Sequence, residues 1–317
     1  MEDNTTAEIE SLIGNIRGLS NEIEKLLSQY NQLMDQYIKK NYSIDVVQTN
    51  TYWVLTIYRD SLLRIQLLIK QNFYFIETLG ILAITRYIFE LTIWIKLIQK
   101  NKTWANVYQY ILIENQLKYY KNYRAHLKRE IVFMQNLEIE EKSLTDIRLE
   151  EAKAIEDEEL RNKTMVDVLN ETANEIDNKA KRKFTIYGEA AKKNGYGFQA
   201  YLIETKALPE IASTISTLER HMRDFKKNMS SDLEETMPAR WNWFAQAKSV
   251  DMQDEYDFIY SYTSRLLHAT PGSITTNYRN LELTEIRMFL GYVHIRLADI
   301  IEILNQSRND LTQDEFN

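Results

Sequence analysis

The chain has 317 residues, 44% of them hydrophobic, with a formal net charge of −7. That length supports a substantial core and one to three domains. With no cysteine, disulfides, thiolate metal sites and a cysteine nucleophile are excluded. Only 8 Gly and 3 Pro are present, too few for the many turns of a large sheet protein, so an all-α fold of long helices is expected. The acidic balance is unlike that of a generic polyanion binder, and RNA could be held only in a local basic cleft. The start, Met1-Glu2-Asp3-Asn4, lacks the basic and apolar stretches of a signal peptide, which points to the cytoplasm.

Residues 5–40 carry a heptad pattern: Ile9, Ile16, Ile23, Tyr30 and Tyr37 recur every seven positions, and Leu12, Leu19, Leu26 and Leu33 fill the intervening ones. This spacing lays one apolar seam along a helix. Ile13, Leu27 and Met34 widen the seam, which suits either packing within a bundle or a dimeric coiled coil. Residues 41–50 read as a linker, and 51–71 as an amphipathic helix carrying Trp53, Leu55, Tyr58, Leu62, Leu63 and Leu67. Residues 74–100 form the most hydrophobic helix, apolar nearly all round, which marks the centre of the fold. Its 79–98 stretch contains Arg86, Glu90 and Lys96. Each charge would cost roughly 2.5–3.5 kcal/mol at mid-bilayer, so a buried core helix and not a membrane span is expected.

Residues 104–180 contain neither Pro nor Gly and pass from an aromatic stretch to a strongly charged one. One unbroken helix would exceed about 100 Å at roughly 1.5 Å per residue, so a helical hairpin with a turn near 135–145 is more economical. Its charge run reads as a solvated face. KKNGYG, residues 192–197, is the clearest break. Amphipathic helices then follow Pro209, span 254–268 and span 281–305, and the last dozen residues read as a frayed tail. The organisation expected is a heptad helix at 1–45, a helical core split between 46–125 and 198–305, a charged projection at 126–197 and a flexible tail at 306–317.

Two clusters could carry chemistry. Arg86 and Glu90 are four apart on one helix face, where buried charges need partners; they form either a structural ion pair or a polar site. Tyr256, Tyr260, Ser264 and His268 recur every four residues along one stripe, with Arg265 beside Ser264. His268 stands just before the Ala269-Thr270-Pro271-Gly272 stop, where it serves either as a C-terminal cap or as a proton-transfer group beside a phosphate-holding arginine. His126 and His221 sit in charged segments, and no Walker loop, dinucleotide fingerprint, nucleophile elbow or metal-ligand spacing is present.

Arg59 followed by ITRYIFELTIWIKLI, and then WNWFAQAKSVDMQDEYDFIYSYTSRLLHATPGS, resemble in order and spacing an uncharacterised bacterial all-helical family that is HEPN-like. The resemblance covers roughly residues 50–305, with specific residues in those two stretches. It implies a helical bundle that dimerises and acts as a metal-independent ribonuclease or RNA-binding effector in bacterial defence or toxin–antitoxin biology. It further implies that His268 is a general acid/base, that Arg86 or Arg265 holds the phosphate and that Glu90 orients a partner, with Tyr256, Tyr260 and Ser264 lining the site. The pair Arg265 and His268 departs from the usual Arg–His spacing, with only two residues between them. Arg287 and His294 match that spacing but lie outside the resembling stretches; they are candidate binding residues. No cofactor or metal is expected. The rival reading is a non-catalytic scaffold or sensor that meets a protein partner through 1–45 or 126–197.

Overall fold

The computed structural model describes residues 2–42, 45–72, 78–267 and 281–316; among them every regular element is helical. The chain divides into two compact units, residues 1–109 with 229–317 and residues 110–228. The second unit is wider than the 126–197 projection expected from the charge pattern.

In unit 1 the heptad segment forms α1 (Glu2–Gly18) and α2 (Ser20–Lys40), interrupted at Leu19. The seam runs through the interruption: Ile9, Ile16, Ile23, Leu26, Tyr30, Leu33 and Tyr37 are all buried. They pack on α3 (Asn50–Asn72) and on the last helix, α14 (Leu283–Phe316), so this face is occupied within the chain. The Tyr30 hydroxyl donates to the Leu304 carbonyl at 2.7 Å, and its ring meets Tyr58 edge-on at 5.9 Å. Burial, followed by the nearby Tyr58, pushes the Tyr30 hydroxyl far above the ordinary phenol value. Burial is the main reason that Tyr58 is pushed up to about 12, opposed by the Ser307 hydrogen bond and aided by Asp310.

Helix α4 (Thr78–Lys100) is buried on two sides, as an all-round apolar helix must be. Ile84, Ile88, Ile95 and Ile98 join the seam helices. Leu82, Phe89, Ile93 and Leu97 join a second apolar cluster with Met252, Ile259 and Phe289. After α10 (Ser231–Thr236), that cluster holds α11 (Trp243–Ser249) and α13 (Ser261–Leu267) against α4, with the short α12 (Gln253–Glu255) between them, and Trp94 stacks on Trp241 with centroids 4.3 Å apart. No helix among the described residues is long and apolar enough to cross a membrane.

The structure corrects two expectations. First, α5 (Trp104–Lys153) shows no turn at 135–145; the break comes later, where Asp157 caps α6 (Glu158–Ala180) by accepting from the Leu160 N–H at 2.9 Å. A cap residue followed by Glu158 and Glu159 is a stronger start signal than anything in 135–145. The amphipathic helix expected after Pro209 is present, with Pro209 in its first turn. The chain is already helical from Tyr196, passing through α8 (Tyr196–Leu202) and a π-helical turn at Ile203–Ala207 into α9 (Leu208–Lys227). The wide turn lies where the missing proline N–H would disturb an α-helical ladder. Second, residues 306–316 are not a frayed tail: α14 continues to Phe316, Leu311 is buried, and Arg308 donates to Gln29.

Unit 2 is built on Leu127, Ile131, Met134 and Leu137 of α5, Ile176 of α6, Ala191 of α7 (Gly188–Asn194) and Ile203, Ile211 and Ile215 further on. The expected break at KKNGYG is present, with Gly195 at φ +87 between α7 and α8, a left-handed conformation that favours glycine. Arg148 of α5 bonds to Thr172 and to Glu175 of α6 at 3.0 and 2.6 Å.

Candidate functional site

Arg86 and Glu90 lie on α4, one turn apart and facing α13. The Arg86 Nε donates to Glu90 Oε1 at 3.0 Å. Its two terminal nitrogens donate to the Ser264 hydroxyl at 3.1 Å and to the Tyr260 hydroxyl at 3.0 Å. The guanidinium carbon also lies 4.5 Å from the Tyr260 ring centroid, within cation–π range. Four candidate residues from segments more than 170 positions apart in the chain thus meet around one cation.

The local chain explains the arrangement. Residues Tyr256–Tyr260 form a π-helical turn between α12 and α13, a feature that recurs at functional sites. Across this turn the Tyr256 and Tyr260 rings stack at 4.7 Å and 14°. Phe89, fully buried on α4, contacts both rings, and Phe244 meets Tyr256 edge-on at 5.4 Å. The aromatic wall fixes the Tyr260 ring, and the ring with Glu90 fixes the guanidinium plane.

The cluster is half-buried, with 23% of the Arg86 side chain and 26% of that of Glu90 exposed. Burial pushes the Glu90 carboxyl above the usual carboxylate range, and the Arg86 hydrogen bond and charge oppose it. Burial likewise raises the Tyr260 hydroxyl, again opposed by Arg86. A guanidinium carries five N–H donors. Among the described residues, the three contacts leave Arg86 with donors still available on its terminal nitrogens. A planar pair of this kind is suited to a phosphate or carboxylate oxygen.

The remaining candidates are placed as follows. His268 lies outside the described residues. Arg265 is exposed on α13, and its charge eases the raised pKa of Tyr262, whose hydroxyl donates to Glu285. Arg287 is exposed and pairs with Glu8 at 2.6 Å, while His294 is half-buried two turns further along α14. Neither Arg287 nor His294 is bonded to Arg86 among the described residues.

One network escaped the sequence reading. Arg296 of α14 reaches Glu255 at 3.5 Å and Asp299 at 3.0 Å, beside Tyr292. Burial, then Glu255, raises the Tyr292 hydroxyl, which is itself buried without a hydrogen-bond partner among the described residues. The signal was available as Tyr292, Arg296 and Asp299 on one helical face, but their spacing does not reveal Glu255 opposite. Comparison with protein-family models, with curated proteins and with solved structures finds no match to this chain.

Proposed function

We propose that unit 1 is a HEPN-like RNA-recognising domain, acting as a metal-independent ribonuclease or an RNA-binding effector in bacterial defence or toxin–antitoxin biology, with Arg86 as its phosphate contact. One observation carries this reading: Arg86 is held in a fixed plane by Glu90, Tyr260 and Ser264, yet remains partly exposed with donors to spare. Glu90 neutralises and orients the guanidinium, and the two hydroxyls set its angle. A phosphate oxygen would take the outward N–H groups, which need no rearrangement on binding. The acid–base role belongs to His268 in this reading, and a homodimer would bring two such centres into one assembly.

The test is incubation of the purified chain with tRNA and mRNA in the presence of a chelator. Wild type should cleave or retain RNA, Arg86→Lys should weaken the effect because a point charge replaces the fork, and Arg86→Ala and His268→Ala should lose it. A folded wild type that neither binds nor cleaves either RNA overturns the proposal. A second reading, a non-catalytic helical scaffold or sensor, is favoured by the same hydrogen bonds in another light: Arg86 ties α4 to α13. On that reading the variants lower stability and leave RNA behaviour unchanged.

A further inference from the structure

An acidic chain can hold a polyanion only where its charge is locally reversed. Residues 179–193 do this: Lys179, Lys181, Arg182, Lys183, Lys192 and Lys193 stand against the single acid Glu189, in a chain whose net charge is −7. The segment covers the end of α6, the loop 181–187 and α7, all within unit 2. Lys179 is spent on Glu140 and Glu175. Lys181, Lys183 and Lys192, by contrast, line a cavity of about 310 Å³, together with Phe184 and Thr185.

The loop that carries these residues is anchored to α5. The Tyr187 N–H at the end of the loop donates at 2.8 Å to Glu130, whose side chain is almost wholly buried. The Lys183 ammonium sits 4.2 Å from the centre of the Phe133 ring, a cation–π contact that holds this lysine at the edge of the cavity it lines. Lys192 is half-buried and 3.6 Å from Glu189, which also lines the cavity; this pair is long and its acid is 87% exposed, so an incoming anion can displace it. Phe184 is 79% exposed, with His126 against its ring at 5.5 Å. A large aromatic left in water beside a cationic cavity has an unused face, and nucleobases stack on such faces.

We infer that this unit 2 cavity binds a phosphorylated nucleotide, either free or as one unit of single-stranded RNA, with the lysines on the phosphate and Phe184 under the base. Its volume lies at the small end of ligand pockets, enough for a nucleotide and too small for a folded partner. An anionic membrane would also attract lysines and a phenylalanine, but it demands a projecting surface and not a concave one. The site is separate from Arg86 and does not depend on the reading of unit 1.

The experiment uses the full chain and follows binding of fluorescein-labelled single-stranded RNA by anisotropy, with 5′-AMP and inorganic phosphate as competitors. Vesicles of phosphatidylcholine with phosphatidylserine form a further arm. Wild type should bind RNA, and the double variant Lys181→Gln/Lys192→Gln should bind about tenfold more weakly with a shallower salt dependence. Phe184→Ala should weaken RNA and AMP about fivefold or more while leaving phosphate competition unchanged. Competition by AMP at the affinity of the RNA identifies a free nucleotide, and much tighter RNA binding identifies the strand. Binding of 5′-AMP reports this cavity and cleavage of tRNA or mRNA reports the Arg86 site, so failure here and failure of the unit 1 proposal are distinguishable. Far-UV circular dichroism matching wild type establishes that each variant is folded. The inference is overturned if wild type binds neither probe, if the lysine variant binds like wild type, or if vesicles are bound while RNA and AMP are not.

Discussion

Unit 1 buries whole aromatic and branched side chains, among them Tyr30, Tyr58, Phe89 and Phe289, and places its charged cluster half inside that packing. Unit 2 joins its helices with a smaller apolar strip and with charge pairs such as Arg148–Glu175 and Lys121–Glu219, all substantially exposed. The contrast matters because the same interaction has different worth in the two settings. An exposed ion pair contributes at most about 1 kcal/mol, whereas a half-buried one resists removal because its partner is left unsatisfied. Arg86 therefore has to be read against its burial, and the unit 2 lysines against their freedom to meet a ligand.

The units can be followed separately, because all five tryptophans lie in unit 1, so their fluorescence reports that unit while circular dichroism reports both. The largest expected effect is from Phe289→Ala, which should destabilise unit 1 by about 3–5 kcal/mol in denaturant titrations read by fluorescence. Leu127→Ala should cost about 2–5 kcal/mol in unit 2 and leave the fluorescence transition in place. A shift of that transition by Leu127→Ala would break the distinction between the units.

Alkaline titration should come next in size. Tyr58 is raised from 10.0 to about 12, so its contribution is present below pH 10 and is lost as the pH rises through about 12. Tyr58 accounts for about 2–3 kcal/mol of the unit 1 stability lost across that window. Tyr58→Phe should remove that share of the loss, leaving the part due to the other raised tyrosines such as Tyr30 and Tyr292, and an unchanged alkaline profile would show that its burial does not govern this range. Glu90 acts in the same sense at lower pH. Its raised folded value means that its contribution is present below 4.5 and falls as the pH climbs through the carboxylate's raised value. Glu90→Gln should remove this slope from unit 1 stability measured against pH. The smallest effect belongs to Arg148→Ala, expected to cost less than about 1 kcal/mol in unit 2 by circular dichroism melting. A loss of several kcal/mol would mean that the Arg148–Thr172–Glu175 group behaves as a buried network.

Much of the helical layout was legible because apolar periodicity is a local property. The seam from Ile9 to Tyr37 and the all-round apolar α4 were readable residue by residue. The turn between α5 and α6 was misplaced because length economy was weighed above the capping signal at Asp157. The tail was misread because polar composition hid Leu311, which belongs to the same apolar cluster as the distant N-terminal helices. The basic cavity was missed for a related reason: its lysines were pooled with the acidic stretch before them, and only the turn at 181–187 gathers them on one side.

By itself, then, the sequence determined the helices, their apolar faces and the pairing of Arg86 with Glu90, because each depends on a spacing of three or four residues along one helix. Tertiary structure alone decided whether the heptad seam would face its own chain, and which hydroxyls would meet Arg86. Those choices depend on contacts between segments remote in the chain, such as Tyr30 with Leu304 and Arg86 with Tyr260, where helical periodicity specifies a face but not its neighbour.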